Sequence, residues 1–377
     1  MRAGTNHLQF VEIDNQFHID TRYARPYNTF HDHINKKRSG RSFSAKKQMP
    51  TGLNRARKLI SGLLIALMLL SVCACSASKN GGKGGKLTIV TTIFPEYDWV
   101  RQIAGDKIDN IDLTLLCNNG TDMHSFQPAA SDIIKISSCD VFVYVGGESD
   151  EWVEDALKEA VNKNMQVVNL MDVLGNDVVE EEIVEGMQAE EENGSEDEIE
   201  YDEHVWLSLK NAQTLVTGIA DAMGRADPDN AESYRANAES YNSKLKELDI
   251  RYAEAVGNGS KDTVLFGDRF PFRYLTQDYG LNYYAAFAGC SAETEASFET
   301  VVFLAGKIDS LGLNAVLVIE NDDHSIARTI IENTASKDQE ILEMDSMQSK
   351  TTADINNGVT YVSVMESNLN VLAKALA

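Results

Sequence analysis

The sequence predicts an α/β protein of two open parallel-sheet lobes joined by one long rigid helix. Three observations carry this expectation. From Lys86 onward, short apolar runs alternate with amphipathic stretches, the pattern of strands and crossover helices. That alternation occurs twice, before and after residues 226–257, and no close sequence repeat links the halves. Between them lies a stretch with one continuous helical period.

In the first half the candidate strands are 87–92, 111–116, 140–145 and 166–170, with helices at 98–103, 129–138 and 151–162. This β-α-β-α-β-α-β order gives one open parallel sheet covered by helices on both faces. In the second half the strands are 263–267, 281–286, 315–320 and 340–344. Helices are expected at 271–278, 298–311 and 325–334, with a closing helix over 362–377. The lobes are therefore 87–225 and 258–377. The linking stretch opens D-P-D-N-A-E-S-Y, in which Asp227 can cap a helix with Pro228 at its first position. Tyr234, Tyr241, Leu245, Leu248 and Tyr252 then recur at spacings of three, four and seven. They form one face of a helix of about 28 residues, or roughly 42 Å, too short and too Tyr-rich for a zipper. A strut between lobes is expected. One segment departs from this regularity: residues 177–203 hold 14 Asp and Glu, and no Lys or Arg occurs between Lys163 and Lys210. Such a run should form a mobile acidic loop, solvated or weakly collecting divalent cations.

Charge and cysteine usage limit the function classes. The 377-residue chain is 43% hydrophobic and 24% charged, the balance of an ordinary globular protein. Residues up to Ala74 hold 12 Lys and Arg against 4 Asp and Glu, which leaves 22 against 54, a net of −32, for the rest. That excludes nucleic acid as a partner, because phosphate contacts need clustered Lys and Arg. The five cysteines are Cys73, Cys75, Cys117, Cys139 and Cys290. They form no C-x-x-C pair, so no zinc ribbon or disulfide scaffold is indicated. A Cys117–Cys139 bridge is one reading of the later three; buried free thiols at the ends of apolar strands is the favoured one.

The leader sets the compartment. Arg55, Arg57 and Lys58 precede an apolar core from Leu59 to Val72, which has signal-peptide length and falls short of the about 20 apolar residues of a spanning helix. Val72-Cys73-Ala74-Cys75 resembles a bacterial lipobox, with Cys75 as the lipidated residue and mature N-terminus. Two acyl chains with a thioether-linked glycerol give stable anchoring. Residues 76–86 read as a flexible tether. Residues 49–75 then make a leader of ordinary length starting at Met49, and residues 1–48 are a doubtful N-terminal extension.

Three histidines follow the leader. His124 lies in C-N-N-G-T-D-M-H-S-F-Q-P, just past the second strand, where open α/β sheets bind ligands. His204, in Y-D-E-H-V-W-L-S-L-K-N-A, ends the acidic run just before a helix. Both are candidate metal ligands. His324, in E-N-D-D-H-S, reads as an exposed residue at a helix start. There is no H-E-x-x-H and no nucleophile–base pair, which argues against an enzyme such as a secreted metallohydrolase. The acidic run lacks the D-x-D-x-D-G spacing of an EF-hand, which weakens the case for a calcium-dependent adhesin.

Residues 86–377 resemble the zinc/manganese family of solute-binding proteins of ABC transporters. The strand and turn I-V-T-T-I-F-P-E-Y-D, the motifs D-M-H-S-F-Q-P and D-E-H-V-W-L-S, and the long helix occur in the family's order. The resemblance implies a metal site in the inter-lobe cleft, with His124 and His204 supplied by the N-lobe. It implies two C-lobe ligands as well. One is an acidic residue ending a late strand, which Asp345 in I-L-E-M-D-S-M fits. The other is normally His or Glu, and here F-G-D-R-F-P-F-R-Y-L puts Arg269 in that slot. A guanidinium offers no lone pair, so Asp268 beside it is the candidate replacement. Imidazoles with carboxylates suit Zn²⁺, with Mn²⁺ next. The implied function is high-affinity uptake of a transported metal ion, with no catalytic cofactor. The implied partner is the permease of an ABC importer, reached by a monomer anchored on the outer face of the membrane.

Overall fold

Residues 85–188, 200–291 and 295–377 are described by the computed structural model. The leader, Cys75 and most of the tether lie outside them. No helix of the described residues is long and apolar enough to cross a membrane.

The N-lobe sheet contains β1 (Leu87–Thr91), β2 (Ile111–Leu115), β3 (Val141–Tyr144) and β4 (Gln166–Asn169), all parallel, in the order β2-β1-β3-β4. The C-lobe sheet contains β5 (Thr263–Phe270), β6 (Asn282–Ala288), β7 (Ala315–Ile319) and β8 (Glu340–Met344), parallel again, in the order β6-β5-β7-β8. Each sheet thus starts in the middle and reverses direction between its first and third strands, where the carboxyl ends of the strands open a crevice. The expected fold class holds in both halves. Central strands such as β3 and β7 are buried along nearly their whole length, which is why they read as unbroken apolar runs.

Helices α1 (Phe94–Ala104), α2 (Ala130–Ser138), α3 (Trp152–Lys158) and α4 (Leu170–Leu174) belong to the N-lobe. Then come α5 (Leu209–Ala226) and the 28-residue α6 (Ala231–Asn258). The C-lobe carries α7 (Arg273–Tyr279), α8 (Phe298–Leu311), α9 (Ser325–Glu332), α10 (Thr352–Asn356) and α11 (Tyr361–Ala375). Buried on α6 are Tyr234, Tyr241, Leu245, Leu248 and Tyr252, the face the spacing predicts. That face packs on α1 and α5 on one side and on α7 and α11 on the other, so one helix bears on both lobes. Tyr252 is fully buried and donates its hydroxyl to the Met365 carbonyl at 2.7 Å. One apolar core runs from Ile89 and Trp99 through this helix to Phe266, Met344 and Tyr361.

Three local expectations need correction. The long helix begins at Ala231 rather than Asp227: the Asp227 carboxylate instead accepts Asn230 Nδ2 at 2.7 Å and the Tyr234 hydroxyl at 2.8 Å, closing the turn between α5 and α6. β4 ends at Asn169, whose side chain accepts the Asp172 N–H and starts α4 at Leu170. The described ends of the acidic run are also not a loose loop. Val178, Val179, Val184 and Met187 interleave with its carboxylates and pack on the core. The backbone pairs Glu181 N with Glu200 O at 2.9 Å and Gln188 N with Ala286 O at 2.9 Å. Arg273 and Lys307 of the C-lobe receive Glu182 and Glu185 at 2.9 and 3.1 Å. Residues 189–199 lie outside the described residues. Cys117 and Cys139 are buried free thiols, as the favoured reading has it.

Candidate metal centre

The N-lobe delivers two imidazoles to one point. Beyond β2 the chain turns through a short 3₁₀ segment, Met123–Ser125, where the Asp122 side chain accepts the His124 N–H at 3.1 Å. His204 precedes a second such turn, Val205–Leu207, which leads into α5; there Ser208 caps the helix by accepting the Asn211 N–H at 3.0 Å. Their Nε2 atoms lie 3.2 Å apart. Two nitrogens bound to one Zn²⁺ at 2.0–2.1 Å under a tetrahedral angle are about 3.4 Å apart, so the pair already has the spacing of two ligands.

The other ring nitrogens are held from behind. His204 Nδ1 is 3.0 Å from Asp202 Oδ1, which also accepts the His204 N–H at 2.8 Å. His124 Nδ1 is 2.7 Å from Ser149 Oγ and 3.6 Å from Glu203 Oε2. Glu203 is itself fixed by the Ser149 N–H at 2.8 Å. Such partners behind a ligating imidazole fix its tautomer and direct its free lone pair forward. With its amide oriented so that nitrogen faces Asp122, the one orientation that satisfies both ends, Gln348 donates to both Asp122 oxygens at 3.1 and 3.2 Å and its oxygen meets His204 Nε2 at 2.7 Å.

The two rings differ electrostatically. Burial, the neighbouring His204 and Arg269 push His124 down to about 3, against the pull of Asp122, so it stays neutral with a lone pair to offer. Burial also acts to lower His204, but the Asp202 carboxylate and its hydrogen bond, with Glu203 and Glu181, outweigh it and hold the ring above its ordinary value. His204 keeps Nδ1 on Asp202 and turns Nε2 toward His124 and Gln348.

The lobes are pinned together around this point. Trp206 donates Nε1–H to the Ser346 carbonyl at 2.8 Å, and the Tyr361 hydroxyl donates to the Trp206 carbonyl at 2.6 Å. The Tyr274 hydroxyl donates to the Asp202 carbonyl at 2.8 Å.

The expected C-lobe ligands are placed differently. Arg269 pairs with Asp122 at 2.7 Å, an ion pair across the cleft. Asp268 turns its oxygens to the Arg269 and Ile319 N–H groups at 2.7 and 3.0 Å. Asp345 accepts the Met347 N–H at 2.9 Å and pairs with Lys350. The structure brings neither carboxylate together with the two imidazoles. His324, half-buried, stands at the start of α9 and is also apart from them. Among the described residues, the donor atoms that do converge, all within 4.8 Å of one another, belong to His124, His204 and Cys290. Cys290 escaped the sequence reading as a site residue. The signal was the one that marked His124: a donor just past the carboxyl end of a strand, here β6, in an open α/β sheet.

Known proteins fit this architecture. Residues 89–375 match the family model described as zinc-uptake complex component A, periplasmic. The zinc-binding lipoprotein AdcA of Streptococcus pneumoniae is 34% identical over 316 residues, 84% of this chain. This chain spans only 60% of that relative's length. The high-affinity zinc uptake system protein ZnuA of Bacillus subtilis is 30% identical, with 84% of this chain and 97% of that protein covered. Among solved structures, the Zn(II)-bound ZnuA-like domain of Streptococcus pneumoniae AdcA aligns with a TM-score of 0.60 at 29% identity, covering 78% of this chain and 99% of that one. The Bacillus subtilis metal-dependent lipoprotein YcdH aligns with a TM-score of 0.62 at 27% identity, covering 77% and 99%.

Proposed function

We propose for this chain, which belongs to the zinc-uptake complex component A family, the role of an extracytoplasmic carrier. It captures Zn²⁺ in the inter-lobe cleft and delivers it to the permease of an ABC importer. The observation that carries this reading is the 3.2 Å separation of the His124 and His204 Nε2 atoms, each ring backed by a fixed oxygen partner. Two imidazoles so arranged favour Zn²⁺ over Mn²⁺, because imidazole suits zinc while manganese favours carboxylate, carbonyl and water oxygens. The ion is cargo, bound and released without reaction. Cys75 is the lipid attachment point that keeps the carrier at the outer face of the membrane, beside its transporter. Relatives named zinc-binding and zinc-uptake proteins support the same cargo.

The test is calorimetric. Residues 76–377 are stripped of metal and titrated with Zn²⁺ and Mn²⁺, with His124→Ala and His204→Ala beside the parent. One tight Zn²⁺ site per chain, weakened more than tenfold by either substitution, is the expected result. Tight one-to-one binding that ignores both substitutions would overturn the proposal.

A further inference from the structure

We infer that the C-lobe ligand to the metal is the thiolate of Cys290, which makes this a two-imidazole, one-thiolate zinc site. The inference rests on the zinc-capture reading and specifies how the C-lobe takes part in it. Cys290 Sγ and one ring nitrogen from each of His124 and His204 all lie within 4.8 Å of one another. A tetrahedral Zn²⁺ with Zn–N near 2.0–2.1 Å and Zn–S near 2.3 Å needs nitrogen-to-sulfur separations of about 3.5 Å. A sulfur within 4.8 Å of a nitrogen of each ring is within roughly 1.3 Å of that spacing.

Two further observations point the same way. The groups that a carboxylate or imidazole site would draw on are engaged elsewhere. Arg269 is held by Asp122, Asp268 by two backbone amides, and Asp345 by Lys350 and the Met347 N–H. Secondly, the residue before the cysteine seats that loop directly on the histidine. A Cβ at Gly289 would lie 2.9 Å from His204 Cε1, 3.1 Å from its Nδ1 and 2.9 Å from the Phe270 carbonyl oxygen. No side chain fits there, so glycine is what lets the Cys290 backbone come this close to the ring. The sulfur is a free thiol, not committed to a disulfide.

Binding then proceeds with a simple proton balance. Zn²⁺ displaces one proton from the Cys290 thiol, which leaves to solvent, and one Zn–S and two Zn–N bonds form to the thiolate and the two imidazole lone pairs. A thiolate is a soft ligand that selects Zn²⁺ against Mn²⁺ more strongly than a carboxylate does. The C-lobe thiolate thus strengthens the zinc preference that the two imidazoles already give.

The experiment loads the protein with Co²⁺ as a spectroscopic stand-in and with Zn²⁺ for X-ray absorption. A thiolate-to-cobalt charge-transfer band in the near ultraviolet, absent from Cys290→Ser, is expected. So is one sulfur neighbour near 2.3 Å from zinc in the parent. Zinc affinity should fall at least tenfold in Cys290→Ser and manganese affinity less than threefold. A parent protein whose bound Co²⁺ shows no such band and whose zinc has only nitrogen and oxygen neighbours overturns the inference, whatever the variant's folding. If His204→Ala then still abolishes zinc binding, the capture reading stands without the thiolate. If neither histidine nor cysteine matters, both readings fall.

Discussion

The carboxylate behind His204 allows a quantitative test of the proposed site without touching a ligand. Asp202 Oδ1 accepts both the His204 backbone N–H at 2.8 Å and, at 3.0 Å, its ring Nδ1–H. The imidazole is fully buried, so water cannot replace the carboxylate when it is removed. Asp202→Ala therefore frees the ring to rotate or to switch tautomer, and either change turns the Nε2 lone pair away from the metal. Loss of such an outer partner weakens metal binding by roughly 10- to 100-fold, or about 1.4–2.7 kcal/mol. Competition against a chromophoric chelator measures this directly. Thermal melting gives an independent value: at fixed free zinc the stabilisation contributed by the ion falls by the same amount. At about 2–4 °C per kcal/mol for a protein of this size, the zinc-induced rise in Tm should shrink by roughly 3–10 °C. Asp202→Asn keeps an acceptor without its charge and should lose less. The Asp202 backbone contacts, from Tyr274 Oη and to the Val179 carbonyl, survive both substitutions, so the apo fold is expected to persist. An Asp202→Ala protein that folds and binds zinc within threefold of the parent would refute the assigned orientation of His204.

Two other outcomes follow from the same geometry. Gly289→Ala should weaken zinc binding at least tenfold although it removes no donor, because its methyl group would sit under 3 Å from the His204 ring and a backbone carbonyl; unchanged affinity by calorimetry would show that the loop gives way freely. Asp150 governs a pH effect. Burial first, helped by Glu203, raises its carboxyl from 3.8 to about 7, against the lowering effect of the Val145 and Gly146 N–H groups. A folded-state value above the unfolded one means the folded chain binds the proton more tightly, so this contribution to stability is full below about pH 4, declines as pH rises, and is gone above about pH 7. Asp150→Asn keeps an oxygen for both amides and abolishes the titration. Denaturant melts of the apo protein should then show the variant gaining on the parent by about 2–4 kcal/mol between pH 4 and pH 8, and parallel pH profiles would contradict the assignment.

How much of this was legible in the sequence depended on whether a feature was local. The two parallel sheets and the buried face of α6 follow from periodicity, because alternation of strand and helix and the Tyr234–Tyr252 spacing are properties of contiguous residues. The start of α6 was misread because Asp227 and Pro228 suit a helix cap and a turn equally well, and the Tyr234 hydroxyl decides between them. The acidic ends were misread because net charge hid Val178, Val179, Val184 and Met187, whose burial needs the partner surface of the folded protein. His124 and His204 stood out by scarcity and by motif. Cys290 did not, since its relation to His204, 86 positions earlier in the numbering, exists only once β6 lies beside β5 and the Gly289 backbone meets the ring.

The division of the site between lobes has a mechanical consequence. Asp122, Ser149, Asp202 and Glu203 fix the two imidazoles from the N-lobe, and the Trp206–Ser346 and Tyr361–Trp206 bonds hold the His204 segment against the C-lobe. The shared core along α6 opposes a wide hinge opening, because separating the lobes would expose Tyr252 and its neighbours to water. On the proposed ligand set, a metal at this cleft meets two nitrogens already 3.2 Å apart and a sulfur beside them on the C-lobe. On that ligand set, protonation or displacement of the sulfur leaves the ion on two imidazoles, a weaker site.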